Sequence, residues 1–180
     1  MRGSRPGWYF EPGKHGGTIN DIGVHGIDMT EWMTGLRFTE INAARTWNAI
    51  PKDRAFFNDA GQFMLTMENG CGVLGDVSYF SPDSCGYSLP YYWNFMFWGT
   101  KGVIRASPQG DTVELALNGR KNLSHVSRST QAPCDYLTQF LLDIKGRPGD
   151  LNTETVLRAS RTALKVQETA DKKNPGVRLV

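Results

Sequence analysis

The stretch 16–35, GGTINDIGVHGIDMTEWMTG, opens on two glycines, closes on Gly35 and carries a helical pattern between them. Thr18 and Asn20 are candidate N-caps, because their side-chain oxygens accept from the free N–H groups of a first helical turn. Asp21 falls in that turn, where a carboxylate suits the positive end of the helix dipole. Gly35 suits a left-handed stop. The spacing places Ile22, Met29, Trp32 and Met33 on one apolar side. Asp21, His25 and Asp28, at i, i+4 and i+7, line a separate polar stripe. Spacing alone leaves three readings: a capping Asp21 beside a structural His25, a carboxylate that orients an acid/base histidine, or a metal set of Asp21, His25 and Asp28. The last needs a further ligand, and only His15 and His125 remain among the three histidines.

Toward the N-terminus, residues 1–15 are rich in Gly, Pro and Arg and read as an extended arm. Its Trp8, Tyr9 and Phe10 either staple the arm to the core or wall a ligand; Lys14 and His15 read as surface residues. Toward the C-terminus, strands are predicted at Phe38–Asn48, Gln62–Glu68 and Val73–Phe80, the last two joined by the hairpin signal Asn69-Gly70. Tyr91–Trp98, YYWNFMFW, has apolar side chains on both faces and reads as a strand buried on both sides. Val103–Ala106 and Thr112–Leu117 are shorter strands, and 120–132 reads as loop. Leu137, Phe140, Leu141 and Ile144 mark a second helix, ended by Gly146 and Pro148. A third, capped by Asn152 or Thr153, runs to about Ala170 with Leu157, Ala163, Leu164 and Ala170 on its apolar side. Helices at both ends of a run of strands, without parallel crossovers, predict an α+β fold: an open, mostly antiparallel sheet of about six strands with helices on one face.

The 180 residues suit one domain with a real core, and a formal net charge of +2 without a Lys/Arg block gives no sign of nucleic-acid binding. No apolar run reaches membrane-spanning length and no signal peptide is visible. Cys71, Cys85 and Cys134 are odd in number and lack CxxC spacing, which argues for a reducing, cytoplasmic setting. Gly70, Gly72 and Gly75 match GxGxxG, but they lead into an alternating strand rather than a helix. The pattern is therefore read as a hairpin and not as a dinucleotide site. His15-Gly16-Gly17 lacks the GxSxG partner of a serine hydrolase.

At residues 16–35 the sequence resembles the Gfo/Idh/MocA family of NAD(P)-dependent oxidoreductases. Gly16-Gly17 and Asp21–Asp28 are similar to its catalytic helix, Arg5–Trp8 to the arm before it, Phe97–Gly102 to its GTKG strand-turn and Ala163–Glu168 to its final helix. The resemblance implies that residues 1–180 form a single dihydrodipicolinate reductase-like C-terminal domain, without the N-terminal Rossmann domain that binds the dinucleotide. It implies NAD or NADP for the complete enzyme, with none bound by this chain alone. By the same resemblance His25 takes the hydroxyl proton as hydride leaves the carbinol carbon of a small sugar or polyol. Asp21 orients His25 or holds a sugar hydroxyl, and Trp8 and Lys14 contact the substrate. The open sheet is expected to form a homo-oligomer through Tyr91–Trp98 beside Phe63, Leu65 and Met67, which alternate onto one face of the Gln62–Glu68 strand. Two other readings remain: a non-catalytic interaction or sugar-binding module, and a metal-dependent enzyme using Asp21, His25 and Asp28.

Overall fold

The computed structural model describes residues 5–50, 52–86, 88, 89, 91–129, 135–173 and 176–179. In chain order the helices are α1 (Val24–Thr34), α2 (Tyr136–Ile144) and α3 (Thr153–Lys172). The strands are β1 (Phe38–Trp47), β2 (Ala60–Met67), β3 (Gly72–Ser78), β4 (Phe95–Gly99), β5 (Gly102–Ala106), β6 (Thr112–Leu117), β7 (Ser124–Ser127) and β8 (Val177–Arg178). They form two four-stranded sheets, ordered β3-β2-β1-β8 and β4-β5-β6-β7. Every pairing among the described residues is antiparallel. The mixed fold with antiparallel sheets is thus the one expected. Among the described residues the strands number eight in two sheets, rather than about six in one. The chain divides into two compact units, one from residues 1–80 and 135–180 and the other from 81–134.

In the first unit, Phe63, Leu65 and Met67 alternate inward from β2 and meet Ile19, Ile27, Phe38, Ile41, Ala163 and Val166 in one core. Small residues let α3 lie close on β1: Ala159, Ala163, Val166 and Ala170 recur at helical spacing and are all buried. The larger Leu157 and Leu164, expected on this face, are exposed instead. Asn152 caps α3 with a full capping box, its side chain accepting from Thr155 N–H at 3.1 Å while Thr155 Oγ1 accepts from Asn152 N–H at 3.1 Å. Leu137, Phe140, Leu141 and Ile144 do fall in a helix, α2, but all four are exposed.

The glycine pattern is a hairpin. Gly70 sits at positive φ in the turn, and β2 pairs with β3 from Ala60↔Ser78 to Thr66↔Gly72. Gly75 serves packing: a Cβ there would lie 2.0 Å from the ring of Phe63, which fills that space.

The second unit departs from expectation in two places. The strand expected at Tyr91–Trp98 begins only at Phe95, because Trp93 takes a left-handed φ of 54°, which breaks the ladder before it. Trp98 is 79% exposed and Met96 54%, so the strand is not buried on both sides. Cross-strand pairing puts Met96 and Trp98 on one face, with Val103, Arg105 and Glu114. Phe95, Phe97, Ile104, Leu115 and Val126 form the other face. The stretch 120–132, read as loop, contains β7, whose polar Ser124, His125 and Ser127 hid a short edge strand. Among the described residues, Cys71 and Cys85 are free thiols; Cys134 lies outside them. No described helix is long and apolar enough to cross a membrane.

Glu31 ties three elements together. From α1 its Oε1 accepts the Phe38 N–H at the start of β1 at 3.2 Å, and its Oε2 accepts Arg158 Nε–H from α3 at 3.0 Å. Glu31 is buried, whereas Arg158 keeps some solvent contact. Arg158→Met should therefore leave a buried carboxylate short of its counter-charge and cost about 3 kcal/mol, the lower end for such pairs. Urea unfolding of the two chains measures it.

Candidate functional site

The helical run of residues 18–34 is not a plain α-helix. Residues Ile19–Gly23 form a π-type turn, in which Val24 N–H donates to the Ile19 carbonyl five residues back, and α1 follows from Val24. Such wide turns occur mostly as single insertions, frequently at functional sites. The turn shifts the phase of the helix. The buried residues of the run are Thr18, Ile19, Gly23, Ile27, Thr30 and Glu31, while Trp32 and Met33, expected on the apolar side, are exposed. Gly35 ends α1 in the left-handed conformation, φ 69°, as anticipated.

Neither expected N-cap caps. Thr18 is helical in backbone and fully buried, and its hydroxyl donates to the Asn58 carbonyl. The free donors are met from α3 instead: Gln167 Oε1 accepts from Ile19 N–H at 2.9 Å and Asn20 N–H at 3.3 Å. Gly17 makes room for this, since a Cβ there would lie 2.1 Å from the Gln167 side chain. The turn so held presents Asp21. Both of its carboxylate oxygens accept phenolic hydroxyls, Oδ1 from Tyr9 at 2.7 Å and Oδ2 from Tyr79.

Tyr79 arrives from the far side of the chain. It follows directly on β3, and its backbone N–H donates to the Asp59 carbonyl at 2.9 Å. Tyr9 is buried in a short 3-10 turn, Gly7–Phe10. The arm is stapled there: Phe10 packs on Phe57, and the Arg54 guanidinium lies 4.6 Å from the Phe10 ring. His15 completes the group, with Nε2 2.8 Å from the Tyr79 hydroxyl and its ring against Tyr9 and Phe57. The Arg5 guanidinium stands over both phenols, 5.3 Å from the ring of Tyr9 and 5.4 Å from that of Tyr79.

Burial sets the acid-base character of this group. It raises both phenols well above their ordinary range, and the neighbouring Asp21 carboxylate adds to the effect. It pushes the His15 imidazole below 6.5; the Asp21 charge opposes this and the Arg5 charge reinforces it.

Of the expected site residues, Asp21 is half-buried in this cluster and His25, in the first turn of α1, is exposed. Trp8 is 48% exposed and stacks at a tilt on Tyr9, with ring centroids 4.5 Å apart. Lys14 is exposed in the turn that ends the arm. The structure thus brings Trp8 to the Asp21 cluster through Tyr9. It adds Tyr79, which had no expected role, Tyr9, offered only as a staple or ligand wall, and His15, which is half-buried here and not the surface residue expected. Their signal was weak: the aromatic cluster and His15 were visible in the arm, but nothing local links them to Tyr79. Asp28 lies further along α1, lining a cleft of about 470 Å³ with Glu31, Trp32, Arg37 and Arg158. Its carboxyl is raised by burial and then by the Glu31 charge, against the lowering effects of His25 and Arg158.

The metal reading is not supported. Among the described residues no three His, Cys, Asp or Glu side chains are placed to hold an ion. Each oxygen of Asp21 already accepts one tyrosine hydroxyl, and Asp28 belongs to the Glu31–Arg158 neighbourhood. The glycine pattern Gly70, Gly72 and Gly75 is a hairpin with Phe63 packed on Gly75, not the strand-to-helix turn of a dinucleotide fingerprint.

Gln167→Met keeps side-chain length and helix propensity but leaves two N–H groups without their acceptor. It should destabilise the chain by about 2 kcal/mol in urea unfolding. A histidine with a lowered folded pKa binds fewer protons folded than unfolded, so stability rises with pH through that window and is lost as pH falls below about 6.5. The stability lost between pH 7.5 and 5 should therefore be smaller in His15→Gln than in the parent, as read from urea midpoints across pH.

Known proteins place this architecture. A protein of Thermotoga maritima assigned as an oxidoreductase superposes with a TM-score of 0.80 at 23% identity, over 98% of this chain and 51% of its own. An NAD-binding oxidoreductase of Klebsiella pneumoniae gives 0.74 at 13% identity, over 98% of this chain and 55% of its own. An aldose-aldose oxidoreductase of Caulobacter crescentus, solved with glycerol, gives 0.71 at 18% identity, over 96% of this chain and 50% of its own. The chain thus spans about half the length of these solved relatives. No curated protein matches it by sequence. The family model of the GFO/IDH/MocA C-terminal domain matches residues 1–105, well over half of the 180, and the chain belongs to that family.

Proposed function

We propose that this chain is the substrate-binding and oligomerisation part of an NAD(P)-dependent sugar or polyol oxidoreductase. A Rossmann domain holding the dinucleotide completes it, and the chain is inactive alone. The observation that carries the reading is the contrast inside one helical run. Asp21 is clamped by two buried phenols, while His25, four residues on, is exposed. A fixed carboxylate one turn from an exposed histidine suits general acid-base work, because such a group must be positioned within reach of the reacting proton. Family membership supports the reading, as does the likeness of the fold to an NAD-binding oxidoreductase and to an aldose-aldose oxidoreductase.

In this reading the chain handles the proton and the substrate. His25 accepts the proton of the reacting hydroxyl in oxidation and returns it in reduction. Asp21 holds a neighbouring hydroxyl or orients His25. Trp8 offers an exposed ring face to the C–H side of a sugar, and Lys14 an ammonium at the rim. The dinucleotide is held by the Rossmann domain of the complete enzyme.

Joined to a dinucleotide-binding Rossmann domain, the chain should oxidise polyols with NAD or NADP, and His25→Ala should lower turnover by roughly 10²–10⁴-fold. Turnover of His25→Ala at the parent rate would refute the assignment. Self-association through the sheet of the second unit is part of the same proposal. Its strands expose Met96 and Trp98 on one face and Ile104 and Val126 on the other, and surfaces of this kind commonly mark interfaces. Phe63, Leu65 and Met67, expected beside that surface, are buried in the core and take no part. Sedimentation at micromolar protein should show a dimer or larger species, with Trp98→Glu shifted toward monomer.

A further inference from the structure

We infer that His15, Tyr79 and Asp21 form a proton wire leading from the imidazole at the arm into the Asp21 carboxylate. The inference rests on hydrogen-bond bookkeeping around one atom. The Tyr79 oxygen has a single proton and stands between two partners, Asp21 Oδ2 and His15 Nε2 at 2.8 Å. It donates to one partner only. With Asp21 ionised, the Tyr79 proton goes to Oδ2, and His15 must then donate its Nε2–H to the phenolic oxygen.

A proton arriving from water at His15 Nδ1 has a defined route from this state. The Nε2 proton passes to the Tyr79 oxygen and the Tyr79 proton passes to Asp21 Oδ2. The end state is a neutral carboxyl donating to Tyr79, Tyr79 donating to Nε2, and an Nδ1–H imidazole. One proton has entered, one negative charge is cancelled, and no other bond is made or broken. The reverse sequence returns the proton to water.

The surroundings suit this use. His15 is half-buried and keeps contact with solvent, with exposed Lys14 and Gly16 on either side of it. The charged and titratable groups around it are Arg5 and Tyr9 on the arm, Asp21 on the π-type turn and Tyr79 after β3. Arg5 over both phenols opposes a standing positive charge on His15, and burial depresses the imidazole further. The ring is therefore disposed to pass a proton on rather than keep it. Tyr9 holds Asp21 Oδ1, which leaves Oδ2 as the oxygen that exchanges.

The use of the wire to balance a dehydrogenase's proton rests on the function proposed above, but the wire itself is testable on this chain without cofactor or substrate. In the 180-residue chain carrying 15N-labelled histidine, the His15 Nε2–H should appear at pH 7.5 as a low-field, slowly exchanging resonance. Asp21→Asn should lower the His15 titration midpoint by roughly one pH unit. In the Tyr79→Phe background the same substitution should move it less than half as far, because the connecting hydroxyl is gone and only the through-space charge effect remains. A fast-exchanging His15 Nε2–H in the parent would overturn the wire without recourse to any variant, and so would equal shifts in the two backgrounds. In the complete enzyme, Tyr79→Phe should displace the pH profile of turnover while leaving KM for the polyol within about twofold. A complete enzyme without polyol activity would refute the proposed function and leave the resonance result standing.

Discussion

The two hydrogen bonds that Gln167 Oε1 accepts from Ile19 and Asn20 are what the site depends on. A helical run that begins in the interior leaves N–H groups which water cannot reach, and each must find a partner. Here the partner comes from α3, nearly 150 positions along the chain, and it enters through the space left by the absent side chain of Gly17. The position of α3 is itself set by its small buried face on β1 and by the Asn152 capping box. The orientation of Asp21 is thus inherited from the packing of the last helix, through a single amide side chain.

The same run carries two acidic groups in opposite situations. Asp21 is compensated by hydrogen bonds from neutral phenols, with the Arg5 charge held behind their rings. Glu31 is compensated by a direct ion pair with Arg158 and by a backbone N–H. The ion pair fastens α1 to α3 and β1 and serves the fold. The phenol clamp fixes the Asp21 carboxylate by hydrogen bonds alone, with no cation in direct contact. Between them, Asp28 feels burial and the Glu31 charge together, and its carboxyl is raised.

Rigidity is distributed accordingly. The arm is pinned by Tyr9 in the Asp21 cluster and by Phe10 between Phe57 and Arg54, so the ring of Trp8 is carried on a fixed support although it is itself exposed. The second unit instead exposes apolar side chains on both faces of its sheet, Met96 and Trp98 on one and Ile104 and Val126 on the other.

Local chemistry was legible in the sequence alone. The Asn69-Gly70 turn, the Asn152 cap, the Gly35 stop, the alternation of Phe63, Leu65 and Met67 and the hairpin reading of Gly70, Gly72 and Gly75 each depend on a few neighbouring residues, and the structure has all of them. The Asp21/His25 pair was legible for the same reason, as a one-turn spacing. Tertiary structure decided the rest. The π-type turn replaced the expected Thr18 and Asn20 caps because a distant amide met the free donors, and that phase shift sent Trp32 and Met33 outward. Trp93 shortened an aromatic strand through a backbone angle that its composition did not announce. The contacts of Asp21 with Tyr79, and of Tyr79 with His15, join residues 58 and 64 positions apart. No periodicity reaches that far, since such pairs are fixed only when sheet register and helix packing bring the segments together.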